Sequence, residues 1–354
     1  MRGVLGNYLR RRVAGQTLAL IAVLTGLMQV LELLDVTTEI LNRNLGLAGV
    51  ARYALLRLPS ELAVALPLAS LLGGMSAFYA MARNREIIAM RTAGVSLTRM
   101  LGHLLPVPLL LATVQFGLSQ NVLPLAEAEL KVWWDSTAPL DENPSEPQWM
   151  HTSTGPVAFD RGSADGRHLR GLRIYLRGDD GLLAVRTIAR GAEWTGHQWL
   201  LDGIRDLHID NGVASWVQEK QRNWQTNLRP EDVVRLELPQ PHMSSVMLAD
   251  VIVGDRVGRQ PLSYYQTVLL RMFTAPLGIF IMLLLAVPSA TILERGGGTR
   301  MLLALALGLG FLLCDGIMSA LGTGSRLPAL AAALTAPVLF TLIGLAQLSA
   351  CDGK

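Results

Sequence analysis

The feature that most constrains this chain is the placement of its apolar residues: six long apolar runs, three before and three after one polar block. A helix that spans a bilayer needs about 20 mostly apolar residues. Runs of that kind occupy residues 13–34, 53–82, 101–123, 265–286, 301–321 and 327–348. Charge is dense between them, in residues 126–260, and sparse elsewhere. The chain therefore reads as an α-helical membrane protein with a 3+3 arrangement of spans around an inserted polar domain. Of the 354 residues, 51% are hydrophobic and 17% charged, against a usual quarter. The net charge is only +3, so the basic pI does not point to nucleic acid.

Short loops give the orientation. Arg2, Arg10, Arg11, Arg12, Arg83, Arg85, Arg91, Arg99, Arg295 and Arg300 fall on one side. Arg43, Arg52 and Arg326 fall on the other. The arginine-rich side is expected to be cytoplasmic. Both termini then face the cytoplasm of a bacterial inner membrane, and residues 126–260 face the periplasm. The first run carries no small-residue cleavage site, so it reads as a retained anchor. Cys314 and Cys351 lie outside the polar domain, which predicts no disulfide there.

The polar domain reads as β structure. Leu172, Ile174 and Leu176 alternate with Arg173, Tyr175 and Arg177, the pattern of a half-buried strand. Asp210, Asn211 and Gly212 mark a hairpin turn. Short strands separated by turn residues predict a sandwich or jellyroll. Residues 141–147 form an acidic, proline-containing stretch expected to be an exposed loop.

Enzymatic chemistry is not visible. There is no phosphate-binding loop, and Gly296, Gly297 and Gly298 lack the lysine such a loop needs. His103, His151, His168, His197, His208 and His242 show no metal-ligand spacing. Gly94-Val95-Ser96-Leu97 lacks the closing glycine of a nucleophile elbow.

The second cytoplasmic loop is the informative one. It reads ARNREIIAMRTAGVSLTRM from Ala82 to Met100. Ile87, Ile88, Met90 and Val95 give it an apolar stripe at near-helical spacing, and Gly94 is placed to end a short helix in the left-handed conformation. Such a segment, about residues 84–95, either lies on the membrane surface or docks a cytosolic partner.

REIIAMRTAGVS resembles the coupling-helix signature of the LptF/LptG permeases of the lipopolysaccharide-export ABC transporter. Pro59-Ser60-Glu61 through Pro67-Leu68-Ala69-Ser70-Leu71-Leu72-Gly73 resembles that family's second span. Trp224-Gln225-Thr226-Asn227-Leu228 resembles a stretch near the end of the periplasmic domain in the LptG branch. With the order of spans, the resemblance covers nearly the whole chain. It implies a periplasmic β-jellyroll in residues 126–260, flanked by helices in residues 1–125 and 261–354. It implies a sister permease of LptF type, a cytosolic LptB-like ATPase dimer and an LptC/LptA-like periplasmic bridge. The cargo would be lipopolysaccharide. This chain would bind no cofactor; ATP and magnesium would serve the partner ATPase. Glu86 is carried over as the coupling acid, with Arg85, Ile87, Arg91 and Gly94 around it. The family's lysines near the outer end of the first span and after Pro59 are here matched by Gln29 and Ser60.

Ionisable residues inside a bilayer are expensive and so mark functional positions. Glu32, Arg57, Glu61, Arg271 and Asp315 fall inside apolar runs, and Lys131 follows the third. By the assigned directions all lie near outer-leaflet depth, with Arg271 roughly 9 Å into its span at helical rise. With Gln29 they are the candidates for contact with lipid phosphates, or for pairing with one another, as Arg271 with Asp315. The alternative function is a permease for lipoprotein release or mechanotransmission, in which the large periplasmic domain follows the first span instead of the third.

Overall fold

The computed structural model describes residues 2–137, 147–152, 155–163, 165–177, 183–210, 213–236, 243–254, 260–291 and 297–352. All but Pro147 of the expected acidic loop lies outside these residues, as do Asn211, Gly212, His242, Arg295 and Gly296.

In chain order the elements are α1 (Arg2–Asn42), α2 (Gly46–Arg83), α3 (Glu86–Thr92), α4 (Leu97–Leu104), α5 (Pro106–Gly117) and α6 (Leu123–Ser136). Then come β1 (Gln148–Thr152), β2 (Gly155–Phe159), β3 (Arg161–Gly162), β4 (His168–Arg177), β5 (Leu183–Trp194), β6 (Trp199–Asp210) and β7 (Val213–Trp224). The chain ends with α7 (Pro230–Leu236), α8 (Ser245–Val253), α9 (Leu262–Thr274), α10 (Leu277–Leu285), α11 (Gly297–Thr323) and α12 (Ala329–Asp352). Two compact units result, Met1–Ala126 with Gln266–Lys354, and Glu127–Tyr265.

The helices α1, α2, α11, α12 and the helical stretch Leu97–Trp134 are each long and apolar enough to cross a membrane. The expected fourth span, residues 265–286, is not one straight helix. It breaks into α9 and α10, bent by 53°. Pro276 stands at the break, where its ring and missing N–H prevent the helix from continuing. A wider π turn, Leu118–Val122, interrupts the third run.

One face of α2 explains how α1 packs on it. Ala65, Ala69 and Ala77, four or eight residues apart, are buried, and Gly73 completes the series. A Cβ on Gly73 would lie 2.5 Å from the Thr17 Cα, so only glycine admits this backbone approach. Association within lipid depends on such close packing of small residues, because lipid tails are as apolar as leucine. A larger core joins Phe78, Met81, Met100, Met282, Phe311 and Phe340 from successive helices.

The second unit is built on one antiparallel sheet in the order β1-β2-β4-β5-β6-β7, with β3 paired to β4. Leu172 and Ile174 are buried and Leu176 packs against the same core, as the alternation predicts. The β6–β7 ladder runs as far as the pair Asp210–Val213. Trp199 is fully buried, and its indole N–H donates to the Leu228 carbonyl at 2.9 Å. Trp224 and Leu228 pack in this core, and Asn227 donates to the Gly254 carbonyl at 3.1 Å, where α8 ends. The Trp224–Leu228 stretch therefore closes the end of the sheet.

Candidate functional site

The loop between α2 and α4 has a defined build. Asn84 caps α2, and Arg85 takes the left-handed conformation at φ +62°, which turns the chain into α3. At the far end Gly94 has φ +81°. The Gly94 N–H donates to the Arg91 carbonyl at 2.9 Å and the Val95 N–H to the Met90 carbonyl at 3.0 Å. These two bonds are the paired ones of a Schellman C-cap, so Gly94 ends the helix as its sequence position predicts. Ser96 then caps α4, accepting from the Arg99 N–H at 3.2 Å.

The apolar stripe divides. Ile87 and Met90 are buried in the chain's own helical core, and Val95 packs against it. Ile88 is exposed. Ile87 therefore seats α3 on the helices behind it instead of presenting itself to a partner. Glu86 accepts hydrogen bonds from the Tyr8 hydroxyl at 2.8 Å and from the Asn84 amide at 3.3 Å. Tyr8 lies 78 residues away on α1, and it was not legible as a site residue. Gly94→Ala is expected to destabilise this corner by about 1–2 kcal/mol, because a side chain disfavours left-handed backbone. Open space surrounds the added methyl, so no clash contributes. Faster hydrogen exchange at the Gly94 and Val95 amides would register it; unchanged exchange would contradict the cap.

A second cluster joins α1 to α2. Arg57 reaches Glu32 through Nε at 2.8 Å and through a terminal nitrogen at 2.7 Å. The Tyr53 hydroxyl donates to the same carboxylate at 2.8 Å. The Gln29 amide, oriented to satisfy both its ends, donates to Glu61 at 3.0 Å and to the Ala54 carbonyl at 3.2 Å. Glu61 is buried, and its other oxygen has no hydrogen-bond partner among the described residues. Tyr53, Arg57 and Glu61 are spaced by four residues and so share one face of α2, while Gln29 and Glu32 share a face of α1. Four of the residues predicted one by one thus meet in one place, and Tyr53 joins them.

Arg271 and Asp315 form the third feature. One terminal nitrogen of the guanidinium donates to the Asp315 carboxylate at 2.6 Å and the other to its backbone carbonyl at 2.9 Å. The pair ties α9 to α11, and each side chain is about three-quarters covered. Lys131 lies half-buried on α6, in the second unit. Among the described residues no group of three histidine, cysteine or acidic side chains could hold a metal ion.

The sequence model for the lipopolysaccharide export system permease LptF/LptG matches residues 7–349. The chain belongs to this family. It is 22% identical over 352 residues to the lipopolysaccharide export system permease protein LptG of Escherichia coli K12, a match covering 97% of each chain. LptG of Escherichia coli O6:H1 matches at the same identity and coverage. This LptF/LptG-family chain is therefore a multi-pass inner-membrane permease subunit, not itself catalytic, and its separate sheet fits a periplasmic domain. Neither match favours the lipoprotein-release alternative.

Proposed function

We propose that this chain extracts lipopolysaccharide from the inner membrane and passes it to a periplasmic bridge, driven by a separate cytosolic ATPase dimer and working beside an LptF-like sister permease. The observation that supports this most directly is the build of α3. It is short, capped at Gly94, seated by Ile87 and Met90, and carries an acid held at its first turn by Tyr8. A partner that pushes on α3 pushes on the helical core beneath it. In this reading Glu86, Arg85 and Arg91 meet the ATPase, while Ile87 and Gly94 keep the helix seated. Arg57, Lys131 and Arg271 meet lipid phosphates, with Gln29, Glu32, Glu61 and Asp315 positioning them. ATP and magnesium act on the ATPase alone. Co-purification of a cytosolic ABC ATPase with the tagged chain tests the core of the proposal; its consistent absence from the purified complex would sink it.

The proposed topology has six spans, with α9 and α10 together making one, and both termini in the cytoplasm. Residues 126–260 form the periplasmic domain and close as a jellyroll, a closure that the buried apolar face of the sheet supports. Cysteines placed at the exposed positions Gln218 and Thr299 are expected to label from opposite sides, in a background lacking Cys314 and Cys351. An impermeant thiol reagent on spheroplasts should reach Gln218→Cys and not Thr299→Cys. Equal labelling of both would overturn the topology.

A further inference from the structure

The face of the sheet opposite its apolar core carries two open clefts, of about 840 and 880 Å³, which share Arg190, Asp202 and Gln221. Gly171 on β4, Gly191 on β5 and Gly203 on β6 line them. Three glycines on three neighbouring strands admit close contacts on this face, and the Asp160 carboxylate already fills the place of a side chain at Gly171. Glycine inside a strand weakens it, and it recurs at bulges and where another group approaches the backbone closely. Gly171 and Gly203 also have φ of +64°, and the ladder pairing skips a step beside each. The Arg190 side chain lies over Gly203: a Cβ there would stand 3.4 Å from its Nε.

Arginines stand along this trough. Arg170 pairs in register with Gly191, and Gly191 with Asp202. Arg173 pairs with Ile188, and Ile188 with Arg205. Arg173 is held by Asp160 at 2.8 Å. Among the described residues no carboxylate forms an ion pair with Arg170, Arg190 or Arg205, and Asp202 likewise has no ion-pair partner. The set offers planar cationic forks, which suit phosphate oxygens in bidentate geometry. Four carboxylates line the clefts: Asp160 faces Arg173, Glu219 faces Arg222 and Glu193 faces His168, while Asp202 and the Gln221 amide opposite it suit sugar hydroxyls.

We propose that this trough binds the phosphorylated saccharide portion of lipopolysaccharide. The arginines take the phosphates, and Asp202 and Gln221 take the hydroxyls. The proposal rests on the export reading for its ligand, but it names a site that reading does not use.

The test uses the full-length chain in lipid nanodiscs. The probes are core oligosaccharide freed of its lipid by mild acid and the same oligosaccharide chemically dephosphorylated, and binding is measured by calorimetry. The phosphorylated probe should bind saturably and the dephosphorylated one much more weakly. Arg190→Gln with Arg205→Gln should weaken binding about tenfold or more, the scale of losing charged hydrogen bonds. Both side chains are exposed, so the fold should tolerate these changes. Arg190→Lys with Arg205→Lys should fall between, because charge remains and the fork is lost. Wild-type affinity in the glutamine variant, equal affinity for both probes, or no binding at all would each overturn the proposal. If the complex retains its ATPase and exports cargo while the trough fails these tests, the trough alone is wrong. If no ATPase co-purifies, the export reading fails, whatever the calorimetry shows.

Discussion

Glu86→Ala is expected to leave the chain inserted and assembled while uncoupling ATP hydrolysis from lipopolysaccharide export. The fold of α3 does not depend on this side chain. Ile87 and Met90 hold the helix in the core, and Gly94 closes it. The acid adds only about 0.3–1 kcal/mol at a helix N-terminus. A charged contact across a partner interface is worth more, a few kcal/mol when desolvated. Its loss should therefore appear in transmission before it appears in assembly. Tyr8 refines the expectation. Its hydroxyl fixes the carboxylate from α1, a continuous helix that also carries Gln29 and Glu32. Tyr8→Phe keeps the ring and removes the donor, so a partial fall in export per ATP hydrolysed is expected. Glu86→Gln keeps an acceptor for Tyr8 and removes the charge, which separates the two contributions. The measurement is lipopolysaccharide moved per ATP hydrolysed in vesicles containing the whole complex. Wild-type export by Glu86→Ala would show that this acid does not couple.

The long apolar helices were legible because runs of about 20 apolar residues mark them, and the strands because Leu172 and Ile174 alternate with polar residues. Gly94 was legible because a left-handed helix end tolerates few other residues. The break at Pro276 carried a signal in the proline itself, but the apolar run on both sides reads as unbroken. The π turn at residues 118–122 leaves no comparable mark. Charged residues could be found one at a time, whereas their partners depend on how separate helices face each other. No sequence spacing brings Arg271 to Asp315, 44 residues away, or Tyr8 to Glu86. Tyr53 could have been found: it stands one helical turn before Arg57 and shares its face. Ile87 belongs to the apolar stripe, and a stripe shows that a helix is amphipathic without showing what covers its apolar side.

Removing Arg271 alone is expected to damage the protein more than removing it together with Asp315. Arg271→Leu leaves a carboxylate between α9 and α11 without its cation. Breaking a buried pair in this way costs about 3–5 kcal/mol, whereas replacing both partners by apolar residues is often neutral or stabilising. Arg271→Leu should thus lower the yield and melting temperature of the purified complex, and Arg271→Leu with Asp315→Leu should restore both. Arg57 offers no such clean cycle, because it pairs with Glu32 and its charge also acts on Glu61. Export then separates the two roles a membrane arginine can have. If the guanidinium only ties α9 to α11, the double variant should export as well as the wild type. If it also meets lipid phosphate, stability returns and export does not. The second result is expected, together with loss of lipopolysaccharide photocrosslinking from the neighbouring helix face. A stable double variant that exports at the wild-type rate would remove Arg271 from the cargo path and leave it as a structural tie.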